Sequence, residues 1–209
     1  MSPKERPPNG HLSQWIIDQF EPGYRGWCVD VGASDGISIS TTWSLEKVHY
    51  WGVLCVEANP DFGPALKQRR MWVEMCACSD RSADSAEFHV NEENPESFSA
   101  LKIAEHPLVR KWADPQKAGL PWKKIRVPVK TLDELLAKWE FPRLDALCVD
   151  VEGGELEVLK GCDLERWKPR VIVSEAWDSG HEYPYLYKHG YRMVARNVHN
   201  DLYKLAEEA

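Results

Sequence analysis

Carboxylates gather at the ends of apolar runs in this chain, and the first pair flanks a glycine-rich turn. Trp27, Cys28 and Val29 lead into Asp30, Val31, Gly32, Ala33, Ser34, Asp35 and Gly36, and Ile37, Ser38 and Ile39 follow. This pattern predicts a buried strand entering a turn that opens a helix, with backbone N–H groups presented to a ligand above it. A pyrophosphate needs a neutral or basic cradle. Here the turn carries two acids and lacks the full G-x-G-x-x-G spacing, so a ligand with a cationic part fits better. S-adenosylmethionine has that character, with an ammonium, a sulfonium and no phosphate. Asp30, Gly32, Ala33, Ser34, Asp35 and Gly36 are therefore candidate cofactor contacts. The structural alternative for Asp30 is that it only caps the turn.

A second anchor follows. Trp51 to Val56 is nearly all apolar, as a strand buried on both faces should be, and it ends in Glu57, Ala58, Asn59 and Pro60. Glu57 lies 21 residues after Gly36, close to the roughly 20 expected of an acid that binds ribose hydroxyls in doubly wound nucleotide folds. Glu57 and Ala58 join the candidate cofactor contacts; a solvated strand-end acid is the plain alternative. Trp72 to Ala77 predicts a third strand leading to Cys78, Ser79 and Asp80. Ser79 and Asp80 would then contact the adenine or simply form a turn.

Two later strands also end in acids. Leu144 to Val149 runs into Asp150, Val151, Glu152, Gly153, Gly154 and Glu155, and Val171 to Ser174 runs into Glu175, with His181 shortly after. All of these fall on the sheet edge where ligands of open α/β folds sit. Asp150, Glu152, Glu175 and His181 are the candidate general bases for a hydroxyl acceptor, where base help adds roughly 10²–10⁴ in rate. Asp150 counts as a cofactor contact too. A divalent metal held by Asp150, Glu152 and Glu175 is the less favoured option, and no residue is assigned as its ligand. Plainer roles are a helix cap for Glu152 and a surface position for His181.

Positioning these residues requires alternating strands and helices. Leu12, Trp15, Ile16, Gln19 and Phe20 predict a short amphipathic helix, and Ile37 to Leu45 a crossover helix after the glycine turn. Asn59 and Pro60 start a helix that runs to about Arg70. Ser85 to Val90 predicts an extra edge strand and Ile125 to Val129 a short edge-type strand. Thr131 to Glu134 reads as a capping box, with Leu132, Leu135, Leu136 and Trp139 on one face of the helix. Leu156, Val158 and Leu159 give an apolar side to another helix, ended by Gly161. A helix with Tyr183, Leu186 and Tyr187 stops at Gly190, before an antiparallel pair over Tyr191 to Val198 and Leu202 to Leu205. The tally predicts an α/β fold with a mostly parallel sheet wrapped on both faces.

At 209 residues the chain suits one domain, expected over 11–209, with 1–10 a proline-rich flexible tail and 91–124 a cap or substrate loop. No apolar run approaches the roughly 18 residues of a membrane span, and the start lacks the apolar core of a secretion signal. Six cysteines without a C-x-x-C pair read as reduced core thiols, which favours a cytoplasmic location. A net charge of −7 disfavours nucleic acid as a partner. The clusters Lys67, Arg69, Arg70 and Lys123, Lys124, Arg126 read as solvated faces.

The blocks Val29 to Gly36, Glu57 to Pro60, Thr131 to Leu135 and above all Val149 to Gly161 resemble the FkbM-type family of S-adenosylmethionine-dependent methyltransferases. The resemblance covers roughly residues 25–205, with Ser97 and Ser99 in the region of the family's serine-containing loop. It implies a Rossmann-like class I methyltransferase fold, with a seven-stranded, mostly parallel sheet, helices on both faces and a reversed final hairpin. It also implies cofactor at Asp30 to Gly36, ribose at Glu57, and O-methylation of a small-molecule or carbohydrate hydroxyl. Two other readings stay open: a cofactor-binding scaffold without a base, and, less favoured, a nicotinamide dehydrogenase.

Overall fold

The computed structural model describes residues 10–92, 99–101, 122–176 and 182–206. The chain begins with α1 (Gly10–Ile17), β1 (Trp27–Val31), α2 (Trp43–Lys47) and β2 (Gly52–Glu57), then α3 (Gly63–Arg69), β3 (Trp72–Met75), β4 (Ala77–Cys78) and β5 (Ala83–Asn91). It continues with β6 (Trp122–Lys130), α4 (Leu132–Lys138), β7 (Ala146–Val149), α5 (Glu155–Lys160) and α6 (Leu164–Trp167). It closes with β8 (Val171–Glu175), α7 (Glu182–Lys188), β9 (Tyr191–Arg196) and β10 (Asn200–Leu205). Seven strands form one sheet in the order β3-β2-β1-β7-β8-β10-β9, and β10 runs antiparallel to both of its neighbours. The mostly parallel α/β architecture with its reversed final hairpin is therefore present.

Strand alternation assigns the two faces. Val29, Val31, Leu54 and Val56 pack with Leu132 and Leu136 of α4, Leu159 of α5 and Leu186 of α7. Cys28, Val53, Cys55 and Cys148 point the other way, onto Ile16 of α1, Leu45 of α2 and Leu66 of α3. All six cysteines are buried and unpaired in disulfides. Among the described residues, no helix is long and apolar enough to cross a membrane.

Three expectations need correction. The first concerns Ile37 to Leu45, which is not a continuous helix: the chain turns through 34–42 and α2 begins only at Trp43. Side chains take the amides that a helix would use. Asp35 Oδ1 accepts from Ile37 and Ser38 N–H, each at 2.8 Å, and Ser40 Oγ accepts from Thr42 and Trp43 N–H. Secondly, the strand read over Trp72 to Ala77 breaks at Cys76, and Ala77 and Cys78 join a second sheet of order β4-β6-β5. Thirdly, the segment containing Ile125 to Val129 is the middle strand of that sheet, not an edge. Pro128 is tolerated because β5 bulges opposite it, with Ala83 paired to Val129 and Ala86 to Val127. Only half of the capping box forms: Thr131 Oγ1 accepts from Glu134 N–H at 3.2 Å, while Thr131 N–H donates to Ser82 Oγ at 3.1 Å.

Candidate active site

The ends of β1, β2 and β7 are locked to one another through backbone. Gly32 and Ala33 N–H donate to Val56 O at 2.9 and 3.1 Å, and Asp150 N–H donates to Val31 O at 3.0 Å. Gly32 has φ of +89°, and a Cβ there would lie 1.7 Å from Asp150 O, so only glycine permits this approach. Glu57 ties two loops together, its Oε2 accepting from Ser34 N–H and its Oε1 from Asn59 N–H, both at 2.7 Å. Burial pushes its carboxyl up to about 7, against the pull of the amides of Asn59, Ser34 and Ala58.

Over these strand ends lies an open cleft. Gly32, Ser34, Glu57, Ala58 and Ile39 line one side, and Asp150, Val151, Glu152, Gly154 and Glu157 line another. The second sheet contributes Ala77, Cys78, Ser79 and Phe88, and the 99–101 segment adds Ser99, Ala100 and Leu101. That segment is held by paired backbone hydrogen bonds between His89 and Ala100, each 3.0 Å. The lining includes the four acids Glu57, Asp150, Glu152 and Glu157, and no Lys, Arg or His among the described residues. Ser34 Oγ is buried in this wall and, among the described residues, without a hydrogen-bond partner.

Behind Asp150 and Glu152 stands Glu175, and ligand oxygens of the three lie within 4.8 Å of one another. Burial pushes Asp150 up to about 6. Burial, then the charges of Asp150 and Glu155, push Glu152 up to about 9. Burial and the neighbouring acids raise Glu175 as well. Glu152 sits at φ +58°, a left-handed conformation rare for such a residue. Glu155 shapes this turn by accepting from Val151 and Gly153 N–H at 3.1 and 3.0 Å.

Several candidates point elsewhere. Asp30 shares the β1 face of Cys28, so its carboxylate accepts from Thr42 Oγ1 and stands 4.0 Å from Arg70 Nη1. Asp35 is consumed by its own turn and by Arg69 Nη1 at 2.6 Å. Ala33, Gly36 and Asp80 are likewise not among the lining residues. His181 and Ser97 lie outside the described residues.

Sequence reading missed Glu46, and it placed Arg70 in a basic cluster read as a solvated face, whereas Arg70 is buried. Arg70 is 3% exposed and donates to Glu46 Oε2 at 2.6 Å, Thr42 Oγ1 at 2.8 Å, Ser40 Oγ at 3.1 Å and Gly36 O at 3.2 Å. It clamps the far side of the glycine turn. A signal existed: Gly63, Leu66 and Arg70 share one helical face, and the first two are buried.

The Methyltransferase FkbM domain family matches residues 30–193. The chain belongs to the FkbM methyltransferase family. Methyltransferase sdnD of Sordaria araneosa is 43% identical over 65 residues, which covers 26% of this chain and 25% of that protein. The crystal structure of methyltransferase FkbM from Methylobacillus flagellatus superposes with a TM-score of 0.54 at 17% identity, covering 96% of this chain and 48% of that one. The second similarity bears on fold. This FkbM-family chain spans about half the length of that solved relative and a quarter of the curated one.

Proposed function

We propose that this chain is an S-adenosylmethionine-dependent O-methyltransferase acting on a hydroxyl of a small molecule or sugar. One observation carries the reading: a cleft at the carboxyl ends of β1, β2 and β7 lined by four acids and, among the described residues, by no basic side chain. Such a wall attracts a cationic donor and repels a pyrophosphate. When bound, S-adenosylmethionine supplies a methyl group on a sulfonium. Glu57 retains lone pairs for ribose hydroxyls beyond the amides it already accepts, and the unpartnered Ser34 Oγ offers a further polar contact. Asp150 in the cleft wall, its carboxyl at about 6, would accept the proton that the acceptor hydroxyl must lose on methylation, whereas burial and the neighbouring acids hold Glu152 protonated near neutral pH. Holding oxygen and methyl in near-attack geometry supplies most of the barrier reduction, about 7–11 kcal/mol.

Thermal-shift titration with S-adenosylhomocysteine and with NAD tests the donor. The homocysteine product is expected to raise the melting temperature, with NAD having no effect, and the reverse result would remove the methyltransferase reading.

A further inference from the structure

Three carboxylates from two strand ends converge on one edge of the cleft: Asp150 after β7, Glu152 in the following turn, and Glu175 at the end of β8. Their ligand oxygens lie within 4.8 Å of one another. Among the described residues none of them forms an ion pair with a Lys or Arg. Clustered acids alone say little, because exposed groups of like charge are common. Hydrogen-bond accounting adds a separate observation. Glu175 is only 7% exposed, yet among the described residues its Oε2 has no hydrogen-bond partner. A buried carboxylate oxygen without a donor costs free energy unless something cationic or protic meets it.

We propose that Asp150, Glu152 and Glu175 form a binding site for one hard divalent cation of the magnesium or manganese type. Among the described residues the donor set is all oxygen, with no imidazole or thiolate in the cluster, which selects against zinc and copper. Three protein carboxylates leave part of an octahedral shell for water, and Asp150 and Glu152 both line the cleft. The cation would meet the orphaned Glu175 oxygen and offset the mutual repulsion of the three acids. This deepens the methyltransferase reading, on which it rests for the site's role in turnover but not for the binding itself. A proton shared between Asp150 and Glu175 is the competing way to relieve the repulsion, and it requires no metal.

Titrating the chelator-treated full chain with Mn²⁺ alone, following loss of the free-ion paramagnetic resonance signal, decides between them. One Mn²⁺ per chain is expected, displaced by Mg²⁺, with affinity falling at least about tenfold in Glu175→Gln and Asp150→Asn. Glu152→Gln, at the less buried ligand, provides a third variant should either of those fail to fold. Wild-type protein that binds no Mn²⁺ at about 1 mM near neutral pH overturns the site, as does binding retained undiminished by the folded variants. A parallel titration with S-adenosylhomocysteine keeps the two ideas separate. Mn²⁺ binding without homocysteine binding sinks the proposed reaction and leaves the cation site; homocysteine binding without Mn²⁺ does the opposite.

Discussion

Four donors converge on the Asp35 carboxylate: the N–H groups of Ile37 and Ser38, the Ser38 hydroxyl at 2.7 Å and the Arg69 guanidinium at 2.6 Å. Burial alone would raise this carboxyl, but the donors outweigh it and hold it down to about 2. In the unfolded chain an aspartate titrates near about 3.9. Its folded value is the lower one, so the stability it contributes is complete above about pH 4 and is lost as pH falls towards 2. Asp35→Asn should therefore lower the denaturant midpoint at about pH 6 and converge with wild type near pH 2. A gap persisting undiminished at the acid end would contradict this origin. The type and spacing of Asp35 were legible in the sequence; its partner was not, because Arg69 is 34 residues away and joins it only when α3 packs beside the turn. Asp30 teaches a related lesson. Strand alternation puts it on the face of Cys28, so the same period that predicted β1 also turned this acid towards α2 and α3.

The stretch between β1 and α2 is shaped less by its own propensity than by α3. Arg70 follows the last residue of α3 and reaches Gly36, Ser40, Thr42 and Glu46, while Asp30 stands 4.0 Å away. Asp30 is 5% exposed with Arg70 as its cation, so Arg70→Met would leave this buried acid without one, while Glu46 would keep only Lys47 at 2.5 Å. Breaking a buried pair from one side costs about 3–5 kcal/mol, which for a chain of this size lowers the melting temperature by roughly 6–20 °C. A loss below about 1 kcal/mol would mean that the clamp is not what orders the turn. Elements buried on both faces were easy to read, since β1, β2, β7 and β8 are continuous apolar runs. The second sheet was harder. Its strand β4 follows β3 after Cys76 alone, so one apolar run serves two sheets, and Pro128 disguises a central strand as an edge because the bulge that accommodates it lies on β5.

Across the molecule, a charge sum of −7 argues against phosphate-rich partners, but composition could not say where the acids face. The fold decides that, by bringing Glu57 and the 150–157 stretch with Asp150, Glu152 and Glu157 from two parts of the chain to one cleft that holds no basic side chain among the described residues. The arrangement makes affinity depend on the charge of the ligand as well as its shape. S-adenosylhomocysteine has a neutral sulfur, whereas sinefungin places a protonated amine close to where the sulfonium and its methyl would lie. One extra positive charge near these carboxylates is worth on the order of 1–2 kcal/mol at the effective dielectric of a protein site. Calorimetry should thus find sinefungin bound about 5- to 30-fold more tightly than the homocysteine. The difference should narrow in Asp150→Asn, which removes a wall acid that at about 6 is charged near neutral pH, and should survive added salt better than a surface contact would, because groups inside a cleft are screened less. Equal affinities, or a preference for the neutral ligand, would mean that the acids are spectators and that shape alone selects the donor.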